Sequence, residues 1–484
     1  MRSYLLPFFC LLFMNPSDAQ ILHERLYKAY ENYKEPSITH RRFKHRDVLP
    51  LLEQLKKQRG FDLQVLGQSY EGRDICEVKW GNGPFKVLLW SQMHGDEPTA
   101  TMALLDIFHF LSVSDDFDAL RNELRQQLTL YFIPLLNPDG AERYQRRTAL
   151  DIDLNRDALR TVTPEGKILK DAVFRLEPDF GFNLHDQSIY YSAGNSDKTA
   201  TFSFLAPAYN YEKTVNERRA DAMKLIVQMD RTIQYYLPGQ VAKYNDDFEP
   251  RAFGDNIQKW GTRTILIESG GLRNDPEKQR MRKIHFVMLL EAFRQISRKG
   301  YKKETTADYF NIPDNDRLFF DLVIRKARLE DEGRSATLDI GYRRDEINTE
   351  DAGGFYSRRS IADLGDLSVF KGYEEIEASQ LQIVSGEVYP EVFEDYSAFR
   401  QINLHELVDR GFTNFKVKNL PAPAILSQLP VRLQLPETET SNRIRYGSNP
   451  CFFLHREGTI EYVIHNGQAF EMEALKNYRW PVVP

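Results

Sequence analysis

Cysteine is nearly missing from this chain of 484 residues, which carries three: Cys10, Cys76 and Cys451. Cys10 falls in an amino-terminal segment that reads as a removable leader. The other two, far apart in sequence, make no disulfide framework, and each is expected as a buried free thiol. A basic excess is missing as well. Lysine and arginine total 64 against 70 aspartate and glutamate, for a net charge of −6, which argues against a nucleic-acid binder. The cluster Arg41-Arg42-Phe43-Lys44-His45-Arg46 is expected to be a solvated face. Beyond the amino terminus no segment is apolar over the roughly 20 residues that a membrane helix needs. No internal repeat or low-complexity tract occurs.

What is present is apolar material in quantity. With 42% hydrophobic and 28% charged residues, the chain holds too much for one compact domain, so a multidomain globular protein is expected. Residues 1–20 differ from the rest: Arg2, an apolar run over 5–14, then Asn15-Pro16-Ser17-Asp18-Ala19-Gln20. This pattern reads as a secretory signal over 1–19, with Ser17 and Ala19 as the small residues before cleavage and an exported, periplasmic or secreted product. Pro7-Phe8-Phe9 lacks the small residues of a lipoprotein site ahead of Cys10.

The spacing predicts a helical, tyrosine-rich lead-in over 22–33, a helix over 45–59 on Val48, Leu51, Leu52 and Leu55, and a strand-rich stretch over 61–77. From Val87 to about Gln295 short apolar strands alternate with amphipathic helices. This pattern predicts an α/β fold, a mostly parallel or mixed sheet with helices on both faces. The charged run Arg298-Lys299-Gly300-Tyr301-Lys302-Lys303-Glu304 reads as a boundary between a catalytic domain over 20–300 and an accessory domain over 301–484. The second part reads as β-rich, with a hairpin from 318–327 and 335–342, and further strands over 381–384, 430–435 and 462–464. Its His405, His455 and His465 stand singly, as ordinary imidazoles.

Chemistry concentrates in the first part. In Trp90-Ser91-Gln92-Met93-His94-Gly95-Asp96-Glu97-Pro98, a histidine and a carboxylate stand three positions apart where an apolar strand, 86–90, gives way to a helix beginning at Pro98. The carboxyl end of a strand in an open α/β sheet is where ligands bind. Imidazole and carboxylate are zinc donors, and a catalytic zinc needs three protein ligands with one position open. Phe180-Gly181-Phe182-Asn183-Leu184-His185-Asp186 is a second strand ending in a histidine, with Asp186 a possible supporting group. Thr264-Ile265-Leu266-Ile267-Glu268 ends in a glutamate, which burial and a nearby cation could tune into a general base, a structural salt bridge being the competing account. Between them lies an arginine-rich stretch with Arg146, Arg147 and Arg156, suited to binding an anionic substrate end.

In order, Gly67-Gln68-Ser69-Tyr70-Glu71-Gly72-Arg73, His94-Gly95-Asp96-Glu97, Asn137-Pro138-Asp139-Gly140, Asp153-Leu154-Asn155-Arg156, Leu184-His185 and Ile267-Glu268 resemble the zinc carboxypeptidase family, the M14 metallopeptidases. The resemblance covers residues 45 to 295 or so and leaves the carboxyl-terminal part unexplained. It implies one zinc per chain held by His94, Glu97 and His185. It also implies Glu268 as the general base that passes a proton to the leaving amine, Arg146 as the group steadying the oxyanion, and Asn155 and Arg156 as holders of the substrate's terminal carboxylate. The family's mobile tyrosine has no clear counterpart, Tyr244 being the nearest candidate. The pocket floor that sets side-chain preference falls near Phe253-Gly254-Asp255, where the correspondence slips by a residue or two. The interval from His94 to His185 resembles that of bacterial members that trim cell-wall peptides.

The resulting expectation is a secreted or periplasmic zinc carboxypeptidase acting on a peptide with a free terminal carboxylate, without nucleic acid or a membrane span. An amidoacylase of the aspartoacylase and succinylglutamate desuccinylase type shares some of these elements, but the export signal and the Gly67-to-Arg73 and Asn137-to-Gly140 motifs argue against it. A zinc-containing binding module without catalysis would sit poorly with an intact ligand set and Glu268.

Overall fold

The structure is a computed structural model and describes residues 17–331 and 333–481. Residues 1–16, with the apolar run of the leader and Cys10, lie outside the described residues. The chain divides into two compact units, 1–187 with 201–314, and 188–200 with 315–484. A boundary near 300 therefore gives way to one at 314/315. Tyr301, Tyr309 and Ile312 belong to the hydrophobic core of the first unit, so the charged run is a surface turn within that unit rather than a linker. The short segment 188–200 goes with the second unit through contacts that sequence distance conceals. The Tyr190 hydroxyl donates to Asp321 at 2.6 Å.

In the first unit, β1 (Phe61–Gln68), β2 (Asp74–Gly81), β3 (Phe85–Ser91), β4 (Leu128–Ile133) and β5 (Phe180–Asp186) lead to β6 (Ser192–Ala193), which lies in the second unit. Then come β7 (Phe202–Leu205), β8 (Val241–Lys243) and β9 (Arg263–Ser269). The described residues form an 8-stranded sheet of order β1-β2-β4-β3-β5-β9-β7-β8. The pairs of β3 with β4 and β5, of β5 with β9 and of β7 with β8 are parallel, and the remainder are antiparallel. The sheet is therefore mixed, parallel at its centre.

Alternation along the strands decides which side chains meet which layer. Val87 and Leu89 of β3, Phe182 and Leu184 of β5, and Ile265 and Ile267 of β9 enter one core, while Leu88 and Trp90 enter the other. By the same parity His185 and Glu268 point to the second face. Helices α1 (Ser17–Ala29), α2 (His45–Leu55), α3 (Thr99–Ser112), α4 (Asp118–Gln127), α5 (Pro138–Arg143), α6 (Pro164–Leu176), α7 (Glu217–Tyr236), α8 (Phe253–Lys259) and α9 (Gln279–Ser297) complete the unit's main elements. Residues of α3, α7 and α9 supply much of the first core, and those of α6 and α8 the other. Among the described residues no helix is long and apolar enough to cross a membrane.

The cluster at Arg41 to Lys44 is not a solvated face. Arg41, Arg42, Phe43 and Lys44 are all buried. The Arg42 guanidinium lies 4.0 Å from the centre of the Tyr144 ring, and the Lys44 ammonium donates to the Glu142 carbonyl at 2.5 Å. Long cationic side chains bury their stems readily when the head finds an aromatic face or a carbonyl.

The second unit is β-rich. Strands β10 (Asn315–Asp316), β11 (Phe319–Asp331), β12 (Arg334–Asn348), β13 (Phe355–Gly365), β14 (Lys371–Glu377), β15 (Gln382–Ser385), β16 (Glu387–Asp395), β17 (Phe412–Asn419), β18 (Arg432–Gln434), β19 (Phe452–Arg456), β20 (Thr459–His465) and β21 (Gln468–Glu471) dominate it. The hairpin of β11 and β12 is antiparallel as the pattern predicted, though longer. Cys76 and Cys451 are buried free thiols.

Candidate metal centre

The turn after β3 is held from several sides. Gln92 takes the left-handed conformation at φ 47°, turning the chain out of the strand. The Glu97 amide then donates to the His94 carbonyl at 3.2 Å, and Pro98 caps α3. Asn137 clamps this turn. Its amide donates to the Gln92 carbonyl at 3.0 Å, its Nδ2 donates to the Met93 carbonyl at 3.2 Å, and its Oδ1 accepts from the Gly140 amide at 2.9 Å. Asp139, fully buried, accepts from the Ser69 hydroxyl at 2.7 Å, the Glu71 amide at 3.0 Å and the Arg73 guanidinium at 2.7 Å. Two of the motifs quoted from the sequence are thus scaffolding: Gly67 to Arg73 grips Asp139, and Asn137 to Gly140 grips the ligand turn.

His94, Glu97 and His185 converge, with one donor atom of each within 4.8 Å of the others. Glu97 stands between the two imidazoles, Oε1 at 2.8 Å from His94 Nδ1 and Oε2 at 2.6 Å from His185 Nδ1. The far nitrogen of His94, Nε2, meets Asp153 Oδ1 at 3.1 Å. A carboxylate there fixes the ring and leaves Nδ1 facing Glu97, the kind of support that a histidine able to bind metal usually has. Burial resists charge on Glu97, yet the two histidines outweigh it and hold its carboxyl far below the ordinary range. Two neutral-capable imidazoles, one firmly ionised carboxylate and a bonded outer carboxylate are the donor chemistry that zinc takes, so the residues fit the ion.

Strand register sets Glu268 beside His185. His185 and Glu268 are direct partners on the parallel strands β5 and β9, whose spacing is about 4.8 Å. Glu268 is 8% exposed, and its Oε2 has no hydrogen-bond partner among the described residues. Burial first, then the charges of Glu97 and Asp186, raise its carboxyl well above the usual carboxylate range. Among the described residues no cationic group forms a salt bridge with Glu268 within 4.0 Å. Asp186, the possible supporting group, bonds Lys278 at 2.9 Å and Thr99 at 2.6 Å, and its amide donates to Glu97 Oε2 at 3.2 Å.

The arginine expected at the oxyanion does reach the centre. Arg146 Nη1 lies 3.0 Å from His94 Nδ1 and 3.2 Å from Glu97 Oε1, and its Nε and Nη2 hold Asp153 Oδ2 at 3.2 and 3.0 Å. Asn155 and Arg156 follow Asp153 in a 3-10 turn (Leu154–Arg156). Asn155 Oδ1 accepts from the Phe253 amide at 2.9 Å, which orients its other amide atom. Tyr244 follows β8, the edge strand, half-buried, with its amide donating to the Phe204 carbonyl at 2.8 Å.

Sequence reasoning assigned no role to Asp153, Glu249 or Lys278. Only Asp153 left a signal, as the acid opening Asp153-Leu154-Asn155-Arg156. Asn183, two residues before His185 on the same face, is fully buried with neither amide atom partnered among the described residues. Asp255, in the first turn of α8, is raised by burial to about 7.

Residues 50–236 match the model of the zinc carboxypeptidase family, Peptidase_M14. The match stops short of Glu268. Carboxypeptidase SOL1 of Arabidopsis thaliana is 35% identical over 180 residues, 31% of this chain and 36% of that protein. Probable carboxypeptidase 2 of Trichophyton verrucosum (strain HKI 0517) is 26% identical over 103 residues, 21% of this chain and 19% of that protein. The chain therefore aligns with about a fifth of the length of these fungal relatives. Among solved structures, a metallo-carboxypeptidase from Burkholderia cenocepacia superposes with a TM-score of 0.44 at 17% identity, over 53% of this chain and 70% of that one.

Proposed function

We propose that the first unit is a zinc-dependent carboxypeptidase that hydrolyses the amide bond preceding a free terminal carboxylate, in a chain exported by its amino-terminal segment. The observation that carries this reading is the convergence of His94 Nδ1, His185 Nδ1 and both oxygens of Glu97 beside the unpaired, buried carboxyl of Glu268.

Zinc bound by those three residues would supply a Lewis acid and make water acidic enough to attack near neutral pH. Glu268, raised by its surroundings, accepts the proton of the attacking water and returns it to the departing amine. Arg146 carries a fixed positive charge to the ligand edge, where it meets the oxygen on which negative charge develops. Asn155 and Arg156 hold the carboxylate, and Tyr244 closes over the substrate.

The test is hydrolysis of matched peptides with free, amidated and N-acylated ends by the zinc-loaded protein and by Glu268→Gln. The expected result is cleavage of free-ended peptides alone and a loss of about 1000-fold or more in the variant with zinc retained. Undiminished turnover in the variant, or cleavage confined to N-acyl amino acids, would sink the reading. Peptides with D-residues or a diamino acid belong in the panel, because the His94-to-His185 interval resembles that of cell-wall-trimming members.

A further inference from the structure

The chain between β8 and α8 carries a carboxylate onto the arginine that should receive the substrate. Glu249 Oε2 lies 3.3 Å from Arg156 Nε. The same carboxylate is held by a second guanidinium, with Oε1 accepting from Arg251 Nε at 3.0 Å and Oε2 from Arg251 Nη2 at 3.1 Å. Arg156 Nη1 is committed to the Asn155 carbonyl at 2.7 Å, so Glu249 takes the Nε edge, one of the edges from which a guanidinium grips a carboxylate.

The backbone around Glu249 is anchored while its side chain reaches solvent. The Glu249 amide donates to Asp255 Oδ1 at 3.0 Å, the Glu249 carbonyl accepts from Ala252 at 2.9 Å and the Arg251 carbonyl from Ala158 at 3.1 Å. Further along the segment, Lys213 bonds Asp246 at 2.9 Å and Asp247 at 2.7 Å. The side chains of Arg156, Glu249 and Arg251 are 37, 30 and 57% exposed. An ion pair this exposed contributes little to stability, so an incoming carboxylate can exchange for it.

We propose that Glu249 and Arg251 complete the substrate-carboxylate pocket: Glu249 is the resident carboxylate on Arg156, the substrate's carboxylate displaces it, and Arg251 retains it meanwhile. The exchange makes the pocket selective. A ligand end with full negative charge replaces the ion pair it breaks, whereas an amide end does not. The inference rests on the reading that Arg156 holds the substrate carboxylate.

The experiment measures KM and kcat for a free-ended peptide, and the Kd of 3-phenylpropanoate as a simple carboxylate probe, in Glu249→Gln, Arg251→Ala, the double variant and Arg156→Ala, each checked for an unchanged melting curve. Glu249→Gln is expected to lower KM and probe Kd by about two- to tenfold, with the effect in KM rather than kcat. Arg251→Ala is expected to raise both, since Glu249 then clings to Arg156 alone, and the double variant to lose that increase. Unchanged or weaker binding in Glu249→Gln, or an Arg251→Ala defect that persists in the double variant, overturns the proposal. Arg156→Ala separates the two levels. If it leaves probe binding intact, the carboxylate reading itself fails; if it abolishes binding while Glu249→Gln brings no gain, only the resident carboxylate fails.

Discussion

The backbone of Gly95 lies so close to that of Gly140 that a Cβ on Gly95 would stand 2.0 Å from the Gly140 carbonyl carbon. The residue between His94 and Asp96 is therefore glycine for lack of space, since backbone, unlike a side chain, cannot step aside. Gly95→Ala is expected to push the His94 turn off Asn137, destabilise the unit by about 1–3 kcal/mol and weaken zinc retention. Thermal melts and zinc content after dialysis check this; a variant equal to the parent in both would show that the turn has slack.

Asp139 is fully buried and accepts from Ser69, Glu71 and Arg73, but it touches no ligand. Asp139→Ala leaves those donors without their acceptor, and a loss on the order of 2–4 kcal/mol is expected in urea unfolding. Because the role is scaffolding, the molecules that remain folded should keep most of their turnover. A variant that is fully stable and inactive would move Asp139 into the chemistry.

Asp153 bonds both His94 Nε2 and Arg146. Asp153→Asn keeps the shape and removes the charge that orients the ring, so zinc affinity should fall by about 10–100-fold. Competition with a chelator of known affinity reads this out. Affinity within twofold of the parent would contradict the support role.

His285 is fully buried on α9, with neither ring nitrogen partnered among the described residues, and burial lowers its pKa to about 3. The folded value lies below the ordinary 6.5, so the unfolded chain binds the extra proton first as pH falls. The stability this neutral ring permits is thus whole above about pH 6.5 and is lost progressively from there down to about pH 3, on the order of 2 kcal/mol by pH 5. His285→Leu is expected to flatten this acid limb of the stability curve without cost at pH 8. Parallel curves for parent and variant between pH 7 and 5 would refute it.

Much of the site was legible because its residues end strands. A run such as Thr264 to Ile267 declares a buried strand, and the polar residue after it must lie at the sheet edge, where Glu268 is found. Period two along β5 and β9 then settles that His185 and Glu268 share a face. The arginine and lysine cluster at Arg41 to Lys44 was not legible, because charge alone reads as solvated. Its burial depends on Tyr144 and Glu142, about 100 residues away in sequence. That Asp153 would meet His94 and Asp186 would meet Glu97 was hidden for the same reason.

By itself the sequence determined the α/β class, the order of strands and helices in the first unit, and the residue types that end its central strands, because hydrophobic period and turn chemistry are local properties. Only the tertiary structure decided that Glu97 divides its two oxygens between His94 and His185, that Asp153 backs His94, that the segment 188–200 goes with the β-rich unit, and that Glu249 rests on Arg156. Each of these depends on which distant stretches of chain are brought side by side, and no local pattern encodes such a distance.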